Sequence, residues 1–83
     1  MPKKQAIQLA RDNVSEIYKF GEGYRFSAYD ERVNAWRESW VTDYWTAQAH
    51  RAEALIRAAR KALGHSNGEE YVQYDGGPWI DYV

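Results

Sequence analysis

The sequence predicts an α+β domain: an N-terminal helix, an antiparallel sheet of four to five short strands, and one long alanine-rich helix packed on one face of the sheet. Apolar residues recur every three or four positions over 7–17 and again over 45–63, the period of a helix with one buried side. Over 24–29 and 36–41 they alternate with polar residues, the period of a half-buried strand. Stretches rich in Gly, Asp, Asn and Pro separate these segments, as turns require.

Pro2 suits the start of a helix, and Ile7, Ala10, Val14 and Ile17 continue it. That helix either stops near Asn13, with a strand over Ser15 to Phe20, or runs to Phe20 with Gly21 as its cap. Ile17-Tyr18-Lys19-Phe20 satisfies both periods, and the shorter helix is the preferred reading. Tyr24, Phe26 and Ala28 then alternate with Arg25, Ser27 and Tyr29. Asp30 to Asn34 forms a turn, and Trp36, Glu38 and Trp40 alternate with Arg37, Ser39 and Val41, giving a hairpin over 24–41. Thr42 and Asp43 start a helix that runs to Leu63, where Gly64 stops it. Its expected buried stripe is Trp45, Ala49, Ala52, Ile56, Ala59 and Leu63, with Leu55 and Ala62 on one shoulder. Small alanines on the helix complement large rings on the strands, so Tyr24, Phe26, Trp36 and Trp40 are expected to face it. Tyr71 to Tyr74 and Trp79 to Val83 flank Asp75-Gly76-Gly77-Pro78 as a closing hairpin.

An 83-residue chain has room for a single domain, 1–83, and a domain this small buries only about 60% of its unfolded surface. Four Trp, seven Tyr and two Phe serve that need first as core, since each buried ring removes roughly 150–250 Å² from water. The chain has no cysteine, which rules out disulfides, thiolate zinc sites and thiol nucleophiles. No stretch approaches the ~20 apolar residues of a membrane span, and the N-terminus has no secretory h-region. A cytoplasmic protein with no membrane partner is expected. His50 and His65 have no metal-ligand spacing, and the Gly21-Glu22-Gly23 run lacks the third glycine of a phosphate loop. No enzyme, metal or cofactor is therefore expected.

Charge is unevenly distributed. All eleven Lys and Arg lie in residues 1–63 beside eight acids, a net of +3, whereas Glu69, Glu70, Asp75 and Asp81 give the tail −4. With Tyr71, Tyr74, Trp79 and Tyr82, those acids form the first candidate contact surface, rings as anchors and carboxylates steering a protein partner with a basic surface. The second candidate is a nucleic-acid surface of Lys19, Arg25, Tyr29 and Arg37 on the sheet face away from the helix, with Ser27 and Ser39 beside them. Arg51, Arg57, Arg60 and Lys61 spread over most of the long helix's polar side and serve solvation more than contact. Self-association through exposed rings or strand edges is a third possibility.

Two resemblances follow from these segments. Tyr24-Arg25-Phe26-Ser27, a turn, Glu38-Ser39-Trp40-Val41-Thr42 and the helix bearing Ala47 and Ala54 resemble the arm-binding N-terminal domain of tyrosine integrases, which implies DNA binding through the sheet. The whole order, with Tyr74-Asp75-Gly76 and Trp79-Ile80-Asp81 in its closing hairpin, is similar to small phage-encoded anti-CRISPR proteins. That likeness implies a mobile-element inhibitor that occupies a surface of a host defence or nucleic-acid-handling complex.

Overall fold

The computed structural model describes residues 1–65 and 72–83. Along the chain run α1 (Lys3–Asp12), β1 (Tyr18–Phe20), β2 (Gly23–Asp30), β3 (Ala35–Val41), α2 (Tyr44–Ala62) and a short 3₁₀ turn (Trp79–Tyr82). The strands form one antiparallel sheet in the order β1-β2-β3. The α+β class is as expected, with two helices and three strands among the described residues.

α1 ends early because the chain after it is drawn onto the edge of β2. The carbonyl of Asn13 accepts the Tyr29 N–H at 2.8 Å, the Ser15 N–H donates to the Ser27 carbonyl at 2.8 Å, and the Ser27 N–H donates to Ser15 Oγ at 2.8 Å. Val14 is buried between these contacts. The shorter helix is the observed one, and the strand after it is narrower than Ser15 to Phe20.

Each turn is set by a specific residue. Gly21 has φ +60° and Glu22 does not share that sign, the pattern of a type II′ hairpin with two loop residues. Between β2 and β3, Asn34 takes φ +50°, and the Asp30 carboxylate accepts the Arg32 N–H at 3.0 Å and pairs with Arg37 at 3.2 Å. The Asp43 carboxylate caps α2 by accepting the Thr46 N–H at 2.8 Å. At the other end Gly64, φ +82°, donates to the Lys61 carbonyl at 3.0 Å, and His65 donates to that of Arg60 at 2.9 Å, the two bonds of a Schellman stop.

The core is small-residue rich. Ala6 and Ala10 of α1 and Ala47, Ala52, Leu55, Ile56 and Ala59 of α2 are buried together with Val14, Phe26 and Val72. Phe26 seats on Leu55, Ala59, Ala10 and Val14. Burying Leu55 contributes about 1.5–3 kcal/mol by transfer from water alone.

Three expectations are corrected. The closing hairpin, and with it the fourth and fifth strands, is not found among the described residues: within 72–83 the chain makes a turn at Gly76 and then a 3₁₀ turn. After Pro78 the amides of Asp81 and Val83 bond back three residues, to the carbonyls of Pro78 and Ile80. Arg60 takes the Tyr82 carbonyl at 2.9 Å, so the backbone groups that a strand would offer to a sheet are used locally. Trp45 does not join the buried stripe. It is 73% exposed in the first turn of α2 and stacks edgewise on Tyr44 at 5.4 Å. Finally, Trp36 and Trp40 do not face the helix with Phe26. β2 and β3 pair Phe26 with Ser39, Ala28 with Arg37, Arg25 with Trp40 and Tyr29 with Trp36. Residues directly opposite share a face, so the helix-side face of β3 carries Arg37, Ser39 and Val41.

Candidate functional site: the open face of the sheet

The face turned away from the helices carries Tyr18 and Phe20 from β1, Arg25, Ser27 and Tyr29 from β2, and Trp36, Glu38 and Trp40 from β3. No described element packs on it. Phe20, Trp36 and Trp40 are 49%, 53% and 48% exposed. Isolated exposed apolar residues are ordinary, but contiguous aromatic patches mark contact surfaces.

These side chains hold one another in place. The Arg25 guanidinium lies 3.8 Å from the Phe20 ring centroid and 5.1 Å from that of Tyr18, donates to the Tyr18 hydroxyl, and pairs with Glu38 at 3.1 Å. Its charge is thus neutralised within the face, and its plane lies among rings that a guanidinium favours. Trp40 donates its indole N–H to the Phe20 carbonyl at 2.9 Å and lies across Gly23. A Cβ at Gly23 would fall 2.6 Å from the indole, so glycine there makes room for the ring. Trp36 meets Tyr29 edge-on at 5.8 Å, and the Tyr29 hydroxyl donates to Asn34. The result is a preorganised, aromatic and nearly neutral surface. Trp, Tyr and Arg are the residues that dominate protein contact energies.

The sequence-derived candidates divide. Arg25 and Tyr29 are on this face, whereas Arg37 is on the helix side with Asp30, and Lys19 lies 5.5 Å over the Tyr24 ring. The four are not brought together. In the tail, Glu69, Glu70 and Tyr71 fall outside the described residues. Tyr74, Trp79 and Tyr82 are half-buried: Tyr74 meets Tyr82 at 5.1 Å, the Tyr74 hydroxyl donates to the Gly77 carbonyl, and Trp79 packs on the core beneath Arg11. Asp75 and Asp81 are exposed. The rings that sequence reasoning assigned to the core, Trp36 and Trp40, are the ones presented to solvent.

Among the described residues two carboxylates have lowered pKa values. Asp30 is held below the usual carboxylate range by the Arg32 side chain first, then by the Arg32 N–H and Arg37. Asp43 is lowered by the Thr46 N–H and then the Thr46 hydroxyl. The Asp30 shift comes from its arginine partners at the β2–β3 turn and the Asp43 shift from the cap of α2. Among the described residues no group of three or more His, Asp or Glu is arranged to hold a metal, and no helix is long and apolar enough to cross a membrane. Neither protein-family models, nor curated proteins, nor solved structures give a match to this chain.

Proposed function

We propose that this chain is a small non-catalytic protein-binding domain whose partner is a folded protein with an apolar patch, seated on the open face of the sheet. The observation that carries this is the exposure of Trp36 and Trp40 on a face that already contains Phe20, Tyr18 and Tyr29. Charge favours a protein over a polyanion: the arginine at the centre of the face, Arg25, is paired with Glu38, and Lys19 and Arg37 point elsewhere. Nucleic-acid affinity depends on unpaired cations releasing counterions. The tail supports the reading less well, because its described rings are half-buried, Trp79 on the core and Tyr74 against Tyr82. The narrower expectation of a mobile-element inhibitor drew partly on a closing hairpin, so the function kept is the general one, binding without catalysis.

The test uses the full chain and its Trp36→Ser/Phe20→Ser variant. Partners captured from bacterial lysate are made recombinantly and titrated against both proteins. The expected result is a defined stoichiometric complex, weakened at least about tenfold in the variant, a loss of about 1.4 kcal/mol. Labelled single- and double-stranded oligonucleotides at low salt form the second arm. Salt-sensitive binding of these, lost in the variant, would overturn the proposal.

A further inference from the structure

β3 is an edge strand of seven residues, exposed along nearly its whole length. Which of its backbone groups are free follows from the neighbouring bonds. On β2, Ser27 and Tyr29 direct their amides toward the Asn13–Ser15 side. Antiparallel ladders alternate, so Phe26 and Ala28 bond β3 through Ser39 and Arg37. Trp36, Glu38 and Trp40 therefore turn their N–H and C=O groups outward. Three such residues at alternate positions are a template for an added strand.

A groove runs beside this edge, between the inner face of β3 and α2. It comprises two adjoining hollows of about 390 and 350 Å³ that share Ala28, Arg37, Ala54 and Arg57. The floor is apolar and small. The rim carries His50 and three cations already paired on one side, Arg37 with Asp30 at 3.2 Å, Arg57 with Glu53 at 4.0 Å and Lys61 with Glu31 at 3.2 Å. The cation heads are outermost over Asp30: the side chains of Arg32 and Arg37 are 61% and 66% exposed, that of Asp30 only 15%.

Building on the protein-binding reading above, we propose that this edge and groove take one extended segment of a partner, in which apolar and acidic residues alternate. Its backbone pairs with Trp36, Glu38 and Trp40. Side chains opposite those residues fall on the outer face, over Trp36 and Trp40, and are apolar. Side chains opposite Arg37 and Ser39 fall over the groove, where carboxylates meet Arg37, Arg57 and His50. The carboxylate of Glu38 is already engaged by Arg25 and does not repel the strand. Arg37, an inward-pointing charge on an edge, deters an apolar strand and selects an acidic one. A second copy is a poorer occupant. The antiparallel register that overlaps all of β3 sets Glu38 against Glu38, where the outer face takes an apolar side chain. It also leaves Arg37 opposite Ser39, with no carboxylate.

The probe is a capped peptide of about eight residues, a typical strand length, alternating valine and glutamate. Its control has the same composition in two blocks. Binding to the full chain is followed by tryptophan fluorescence and amide NMR shifts. The alternating peptide is expected to saturate, with shifts concentrated at Trp36 to Trp40, and the block peptide to bind at least about tenfold more weakly. Glu38→Pro removes one outward N–H while leaving the β2–β3 bonds, since proline is tolerated where an edge N–H faces solvent. It should abolish binding, and Arg37→Glu/Arg57→Glu should weaken it about tenfold. If Glu38→Pro disturbs the sheet, N-methylation of alternate peptide residues reads the same bonds from the ligand side: one methylation phase should abolish binding and the other spare it. Equal binding of both peptides, insensitivity to both backbone changes, a chain dimer lost in Glu38→Pro, or no saturation overturns the inference. A recombinant partner that needs Trp36 but tolerates Glu38→Pro would overturn this inference alone. Binding only of nucleic acid would overturn the protein-binding reading beneath it.

Discussion

The indole of Trp40 occupies the space that a side chain at Gly23 would need, two strands meeting across an absent Cβ. A methyl at Gly23 would fall 2.6 Å from the ring and 2.5 Å from the Val41 carbonyl. Backbone on one side and a ring fixed by its bond to the Phe20 carbonyl on the other leave little room to yield. Gly23→Ala is expected to cost about 1–3 kcal/mol, the range for overpacking, and to change the Trp40 emission. Denaturant titration of the variant checks it.

The hydrophobic core and the aromatic surface separate in mutational cost. Leu55 is 1% exposed, and Leu55→Ala should destabilise by about 2–5 kcal/mol. Trp36→Ser and Trp45→Ser, though they remove far larger groups, should each cost only about 0.5–1.5 kcal/mol, the worth of the edgewise ring contacts with Tyr29 and Tyr44. Urea midpoints of the three variants give the comparison directly. Equal losses at Leu55 and Trp36 would place Trp36 in the core.

Acid should weaken the fold through Asp30 and Asp43. Both have folded-state pKa values lowered from the ordinary value of 3.8. The stability they contribute is complete above that value and is lost as pH falls through their lower folded-state pKa values. Thermal melts between pH 6 and pH 2 should show a falling limb below about pH 4. Asp43→Asn, which still caps but cannot titrate, should make that limb shallower. An unchanged limb in both Asp43→Asn and Asp30→Asn would exclude these groups as its source.

Much of this arrangement is legible in the sequence, and what is not has identifiable causes. Asp43 before an apolar-periodic run and Gly64 after it mark α2, because cap chemistry is local. The early end of α1 was open, since Ile17 to Phe20 fits two periods and the pairing of Asn13 and Ser15 with β2 is a tertiary contact. The hairpin of 24–41 is readable, but its facing is not. Strand alternation shows that Trp36 and Trp40 share a side; the loop length decides which. Four loop residues, Glu31 to Asn34, join the pair Asp30 and Ala35, which sets Phe26 opposite Ser39. A register shift of one residue would turn both tryptophans inward. Aromatic content favoured the inward choice, yet alanines and Leu55, Ile56 and Phe26 suffice for this core. In the tail, alternating rings suggested strands, but among the described residues none pairs with a strand edge, and Arg60 and Pro78 favour a 3₁₀ turn.

The open aromatic face and the free edge both depend on the register of β3. Amide hydrogen exchange followed by NMR reads it residue by residue, because an amide bonded within the sheet exchanges only when that bond opens. The fold described predicts that Arg37, Ser39 and Val41 exchange slowly and Trp36, Glu38 and Trp40 quickly. Slow exchange at Trp36, Glu38 and Trp40 with fast exchange at Arg37 and Ser39 would contradict it, turning the tryptophans toward the helix and removing both the open aromatic face and the free edge.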